Sequence, residues 1–341
     1  MTRRTLRTAA QLVTAGLLPS DRAAEAGRVA GRYTVAVTAA VAALIDPTDA
    51  ADPIARQYLP SAAELIEAPG DRSDPIGDQR LSPVKGIVHR YPDRVLLKPL
   101  LVCPVYCRFC FRRETVGDAE GTLTAAELEA AIAYVAARPE LREVILTGGD
   151  PLMLPPSRLR ALIDRLTAIP HIETIRIHSR VPVADPERVT DALVAALKAE
   201  TAVWLAVHVN HSRELSPAAR AALARLAGAG LPLLSQTVLL KGVNDDAAVL
   251  EELFRALVRN RVRPYYLHHP DLAPGTAHFR PSLAEGRAIV KALRGRLSGI
   301  AQPTYVLDIP GGAGKVPVGP DYRHEDGTVE DWRGDRHPYP D

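Results

Sequence analysis

From Arg94 onward, short apolar runs rich in β-branched residues alternate with stretches of helical spacing. The runs are Val95–Val102, Glu143–Leu146, Thr174–Ile177, Val203–Val209, Leu233–Leu240 and Pro264–His268. Between and after them, apolar residues recur at three- and four-residue intervals over Ala125–Ala137, Ser157–Ile169, Pro186–Ala199, Pro217–Ala229, Asp246–Arg259 and Ser282–Leu297. Six strand-then-helix units predict parallel strands joined by right-handed crossovers, in a doubly wound sheet or a barrel. The strand count favours an α/β fold with a partial (β/α)6 TIM-type barrel preceded by an N-terminal helical segment.

That N-terminal segment, Thr2 to Ile45, is Ala-rich with Leu6, Leu12, Val13, Leu17, Val29, Val35 and Val37 at helical spacing, and predicts two or three helices. Asp46 to Lys85 carries D-P-T-D, D-P-I, A-P-G-D and D-P-I-G-D, too many turn formers for long regular elements, and reads as an extended connector. The organisation expected is therefore a helical segment and connector over 1–88, the barrel over 89–300, and a C-terminal segment with a polar tail over 301–341.

Composition narrows the partners. With 341 residues, 47% hydrophobic and 24% charged, the chain can bury a large core. Forty-two basic against 40 acidic residues leave a net charge of +2, which points to a small-molecule partner, not nucleic acid or a membrane surface. The longest apolar run, Val35 to Ile45, is too short to span a bilayer. The arginine-bearing start M-T-R-R-T-L-R lacks a continuous apolar core and reads as an amphipathic helix, not a leader. Three cysteines in the whole chain exclude a disulfide framework and suit a reducing, cytoplasmic setting.

All three cysteines fall in one octet, C-P-V-Y-C-R-F-C, at Cys103, Cys107 and Cys110, directly after the first barrel strand. That is the strand C-terminal mouth where barrel enzymes keep their chemistry. Three thiolates without a fourth cysteine leave zinc completed by a histidine, or a four-iron cluster with one iron lacking a protein ligand. Buried structural thiols are the plainer alternative. Structural zinc sites usually use two close ligand pairs, so the open iron is the better reading. T-G-G-D at Thr147 to Asp150, after the second strand, is by itself an ordinary turn.

A second candidate is D-I-P-G-G-A-G-K-V-P, Asp308 to Pro317. It is no Walker loop: Ile309 stands where the first glycine is required and Val316 where Ser or Thr must follow the lysine. Glycines of this kind let a backbone come close enough for Lys315 to reach inward. In H-R-Y-P-D-R, His89 to Arg94, expected immediately before the first strand, two arginines four apart can offer fork donors to one phosphate.

Taken together these motifs resemble the lysine 2,3-aminomutase family of radical S-adenosylmethionine enzymes, over residues from about 50 to 320. C-x3-C-x2-C, with Tyr106 and Phe109 inside it, is the superfamily signature. Further matches are S-D-P-I-G-D at Ser73 to Asp78, I-R-I-H-S-R at Ile175 to Arg180, H-V-N-H at His208 to His211, S-Q-T-V-L-L-K-G-V-N-D at Ser235 to Asp245 and D-L-A-P-G-T-A-H-F-R at Asp271 to Arg280. The resemblance implies that Cys103, Cys107 and Cys110 hold a 4Fe-4S cluster whose open iron binds S-adenosylmethionine. Gly148, Gly149 and Asp150 then hold its methionine amino group, with Arg180 and Gln236 also in contact. It implies that Lys315 forms an imine with pyridoxal 5'-phosphate, with Arg90, Arg94 and Tyr91 around the phosphate. It implies that Arg112 takes a substrate carboxylate and Asp271 and Asp308 a side-chain ammonium, since two converging carboxylates resist joint ionisation without a cation between them.

The activity so implied is an isomerase converting L-lysine to β-lysine by 2,3-amino migration, fed by an electron donor such as flavodoxin or ferredoxin. An aminomutase acting on arginine or glutamate, or a zinc-binding non-catalytic barrel, is the alternative. The chain lacks the extra cysteines that bind zinc at the dimer contact of the longer family members: Asp246 stands in the loop after the fifth strand and the tail has none. No zinc is expected, and a homodimer is left open.

Overall fold

The computed structural model describes residues 5–117 and 121–340. The first four residues of the predicted N-terminal helix lie outside them. Nine strands form one open sheet in sequential order: β1 Ile87–Tyr91, β2 Arg94–Leu100, β3 Glu143–Gly148, β4 Thr174–Ser179, β5 Ala202–His208, β6 Leu233–Val238, β7 Val262–His268, β8 Thr304–Ile309 and β9 Gly314–Pro317. Strands β2 to β8 are parallel, while β1 and β9 pair antiparallel at the two edges. The six predicted strands are β2 to β7. The parallel run therefore bears out the partial barrel and extends it by one strand.

Two expectations are corrected. H-R-Y-P-D-R does not precede the first strand: His89, Arg90 and Tyr91 belong to β1, and the chain turns through Pro92 and Asp93 so that Tyr91 pairs with Arg94. A strand with three partly exposed polar residues out of five gave no apolar run to detect. The helix expected over Pro186–Ala199 is broken into a short 3-10 turn, Pro186–Arg188, and a six-residue helix, because Thr190 caps a new start through its hydroxyl to the Leu193 amide.

Helices α1 Ala9–Thr14, α2 Ala23–Arg32, α3 Ala39–Ala42 and α4 Pro53–Tyr58 precede the sheet. The others are α5 Ala125–Ala136, α6 Pro156–Thr167, α7 Val181–Ala184, α8 Asp191–Ala196, α9 Pro217–Gly228, α10 Ala247–Arg259 and α11 Leu283–Ala292. Caps fix where several begin. Thr124 with Glu127, and Ser282 with Glu285, form capping boxes, and Asp246 accepts two amides of α10. The apolar stripes Leu159, Leu162, Ile163 and Leu166 of α6, and Leu250, Leu253, Phe254 and Leu257 of α10, are buried in the core beside strand residues such as Val144, Ile175 and Leu205.

The N-terminal helices have their own core of Leu12, Leu18, Val35, Val37, Val41, Ile54 and Tyr58, which reaches the barrel through Val105, inside the cysteine octet, and Ala184. The sheet's open seam lies between β1 and β9. The S-D-P-I-G-D loop of the connector packs there. The Gly311 amide donates to the Pro75 carbonyl at 2.9 Å, and a Cβ on Gly77 or Gly312 would meet the facing loop within 3.0 Å. Among the described residues no helix is long and apolar enough to cross a membrane.

Candidate active site inside the barrel

The strand C-termini deliver the predicted residues to one cavity of about 760 Å3. Cys103, Cys107, Cys110 and Arg112 come from the loop after β2, Gly148, Gly149 and Asp150 from the end of β3, and Arg180 from the end of β4. Gln236 on β6, Asp271 after β7, Asp308 on β8, Lys315 on β9, Arg90 and Tyr91 on β1 and Arg94 at the start of β2 complete it. Every residue to which the resemblance gives a cofactor or substrate contact therefore lines the same space.

At one end, the cysteine loop lies so close to the T-G-G-D turn that only glycine fits. A Cβ on Gly148 would stand 2.7 Å from the Leu100 carbonyl oxygen, and one on Gly149 would collide with the Val102 backbone. The Gly149 and Asp150 amides donate to the carbonyls of Leu100 and Val102, at 2.7 and 2.9 Å. The Asp150 carboxylate accepts from the amides of Leu152, Arg180 and Val181, fixing the turns after β3 and β4 to each other. All three cysteines are free. Burial raises each thiol, Cys110 to about 11 with help from the Cys107 charge, whereas Arg180 opposes the rise at Cys107. Among the described residues no group of three or more His, Cys, Asp or Glu could hold a single metal ion. Thiolates that each meet a different iron of one cluster do not have to converge on one point.

At the other end, β8 and β9 form a hairpin whose register pairs Asp308 with Lys315. Gly311, Gly312 and Gly314 turn it with φ of 79°, 84° and 112°. The Lys315 ammonium is ion-paired to Asp308 Oδ2, and its Nζ lies 3.4 Å from His268 Nδ1. Across the seam, Arg90 Nη1 donates to Asp308 Oδ1 at 2.8 Å, and the Lys315 amide donates to the Tyr91 hydroxyl at 2.6 Å. The two arginines do not converge on one point here. Arg90 also donates to the Ile76 carbonyl, whereas Arg94 pairs with Asp93 at 2.7 Å and lies over the Tyr91 ring at 3.9 Å.

Between the ends, Arg112 Nε donates to Asp78 Oδ2 at 2.6 Å and Lys98 stands 3.7 Å from the same carboxylate. Burial works against the Asp78 charge, but Arg112 and Lys98 outweigh it and hold Asp78 below the usual range. Asp271 has no such direct partner: burial, then repulsion from Asp308, pushes its carboxyl up to about 7. Burial holds His178, His208 and His268 neutral, and the Nε2 atoms of His178 and His268 are buried without a hydrogen-bond partner.

Sequence reasoning missed Gln57, Tyr58, Glu64 and Glu214, the buried groups that hold the cysteine loop. Glu64 bridges Arg108, at 2.5 Å, and Arg113, all three buried, and Glu214 pairs with Arg180 at 2.6 Å. The partners through which they hold the loop and Arg180 are 34 to 157 residues away, so no local signal marks that role. Trp204 and Tyr265 line the cavity from further down the strands and belong to no motif, and Arg176 beside them lies within I-R-I-H-S-R, where the resemblance gives a role only to Arg180.

Parallel strands with a three-cysteine loop after the first of them define a radical S-adenosylmethionine barrel. Residues 97–253 match the family model described as the radical SAM superfamily, and 290–327 that described as lysine-2,3-aminomutase. Over 288 residues the chain is 45% identical to L-lysine 2,3-aminomutase of Clostridium subterminale, covering 84% of this chain and 69% of that one. It is 43% identical to the Escherichia coli L-lysine 2,3-aminomutase, covering 78% of each, and 36% identical to glutamate 2,3-aminomutase of Clostridioides difficile, covering 90% and 73%. The chain belongs to the lysine 2,3-aminomutase family, and it is an isomerase of the radical S-adenosylmethionine superfamily.

Proposed function

We propose that this chain converts L-lysine to β-lysine by moving the 2-amino group to carbon 3. A 4Fe-4S cluster would sit on Cys103, Cys107 and Cys110, S-adenosylmethionine on its open iron, and pyridoxal phosphate on Lys315. The observation that carries this reading is that the three cysteines and Lys315 line one cavity. The donor set fits the groups. Three free thiols stand together in a glycine-walled loop, and the other end offers a lysine and two arginines beside buried histidine nitrogens that lack partners. When bound, these groups supply hydrogen abstraction from an unactivated carbon and a conjugated system through which nitrogen can pass between neighbouring carbons.

The chain's own residues then bind and orient. Arg112, held by Asp78, presents its remaining guanidinium donors to the α-carboxylate. Asp271 and Asp308 face a cation: a lysine ε-ammonium between them relieves their mutual repulsion, which a glutamate side chain would worsen. Identity points the same way: 45% and 43% to two relatives named for lysine, against 36% to the one named for glutamate. His268, neutral beside the Lys315 ammonium, can accept a hydrogen bond from it at Nδ1 and so help aim it. Arg180, Gln236, Gly148, Gly149 and Asp150 surround the space for S-adenosylmethionine, and Arg90, Arg94 and Tyr91 that for the phosphate. The electron comes from a low-potential one-electron donor of the flavodoxin or ferredoxin kind.

An anaerobic assay with reductant, S-adenosylmethionine and pyridoxal phosphate on lysine, glutamate and arginine tests this. Lysine should react and the Asp308→Asn variant should lose lysine turnover. Reaction of glutamate but not lysine, or an unchanged Asp308→Asn enzyme, contradicts it.

A further inference from the structure

Arg180 is held more elaborately than contact with a ligand requires. Its Nη1 lies 2.9 Å from Cys107 Sγ. Its Nη2 donates at 2.6 Å to both Gln57 Oε1 and Glu214 Oε2, and its guanidinium lies over the Tyr58 ring at 4.8 Å. Gln57 also accepts from Asn210 Nδ2 at 3.0 Å, and Glu214 from the amides of Asn210 and His211 at 2.8 and 2.9 Å. Gln57, Tyr58, Asn210 and Glu214 are each at most 2% exposed. Three separate parts of the chain thus converge on one guanidinium: the connector helix α4, the cysteine loop after β2 and the loop after β5. Burying such an ion pair costs several kcal/mol per charge in desolvation, so the arrangement secures position more than stability.

We infer that Gln57 and Glu214 are positioning residues that aim Arg180 at the Cys107 sulfur, and that this contact sets the reduction potential of the cluster. The inference rests on the proposal that the cysteines hold a 4Fe-4S cluster. Reduction adds one electron, from an external low-potential donor, to a cluster already made negative by its thiolates. A cationic N–H donor on a ligating sulfur stabilises that added charge and raises the potential. Gln57 carries no charge, so it acts only by holding the guanidinium in place.

The test is an anaerobic dithionite titration of iron-reconstituted protein, followed by electron paramagnetic resonance without S-adenosylmethionine, so that any contact of Arg180 with that molecule plays no part. Arg180→Gln should be reduced with an equilibrium constant about tenfold less favourable, 59 mV for a one-electron couple. Arg180→Lys should fall between Arg180→Gln and wild type, and Gln57→Leu should show a smaller drop in the same direction. Fully loaded Arg180→Gln and Gln57→Leu proteins with the wild-type potential overturn the inference alone. If Arg180→Gln fails to fold or to load iron, Gln57→Leu and Arg180→Lys decide by the same criterion. Wild-type protein that takes up no four-iron cluster overturns the cysteine assignment as well.

Discussion

From Leu101 to Gly117, at the cysteine end of the cavity, the chain forms neither strand nor α-helix, whereas at the lysine end Asp308 and Lys315 sit in register on paired strands. The cysteine loop takes its shape from outside itself: from Glu64 across Arg108 and Arg113, from Arg180 on Cys107, from Val105 in the N-terminal core, and from glycines that let the T-G-G-D turn press against it. The lysine end takes its shape from hairpin register, with Asp308 and the Lys315 amide held across the sheet seam by Arg90 and Tyr91. A loop that must cradle a large group can depend on distant carboxylates. A lysine that must reach one atom is better placed by a strand, whose register fixes side-chain direction.

If the ends are built separately, they should fail separately. The largest expected effect is that Cys110→Ala loses four-iron loading and all turnover while borohydride still fixes pyridoxal phosphate to Lys315, read by peptide mass spectrometry. Recovery of the label on Lys241 or Lys291, or full iron in Cys110→Ala, breaks the comparison. Next, Glu64→Gln leaves Arg108 and Arg113 buried without their counter-charge and should cost about 3–5 kcal/mol in denaturant unfolding, in line with breaking one partner of a buried pair. Smaller, Gly149→Ala forces a Cβ into the Val102 backbone and should cost about 1–3 kcal/mol, as overpacking does, with reduced iron loading and unchanged labelling of Lys315.

A pH-dependent effect concerns Asp271. Its folded carboxyl titrates near 7, above the ordinary aspartate value of 3.8, so the folded state holds this proton more tightly than the unfolded one. The stability it contributes is present below pH 4 and is lost as pH rises through 7. Thermal melts from pH 4 to 8 should show Asp271→Asn losing less stability over that window than wild type, and equal slopes would show that Asp271 is not perturbed.

The sequence made the lysine and cysteine ends legible to different depths. Six strands and the cysteine octet announce themselves, because parallel strands are apolar on both faces and three cysteines in eight residues are conspicuous. The P-G-G-A-G-K turn is visible through its glycines, but that it joins β8 to β9 is not: β8 buries only Tyr305 and Val306, with Asp308 facing the cavity. Strand β1 is hidden for the same reason, since Arg90 and Tyr91 serve the cavity rather than the core. The supports of the cysteine loop are the least legible part. Gln57, Glu64 and Glu214 sit in an irregular connector and a loop, and only the folded chain shows that their carboxylates and amide are spent on Arg108, Arg113 and Arg180.

The central claim is that the two ends act on one lysine molecule held between them. Anaerobic enzyme supplied with reductant, S-adenosylmethionine, pyridoxal phosphate and lysine labelled with nitrogen-15 at the 2-amino group tests it directly by nuclear magnetic resonance. The expected product is β-lysine with the label on carbon 3. Product in which the 2-amino nitrogen has been lost to solvent, or no product from lysine while glutamate is converted, would contradict it.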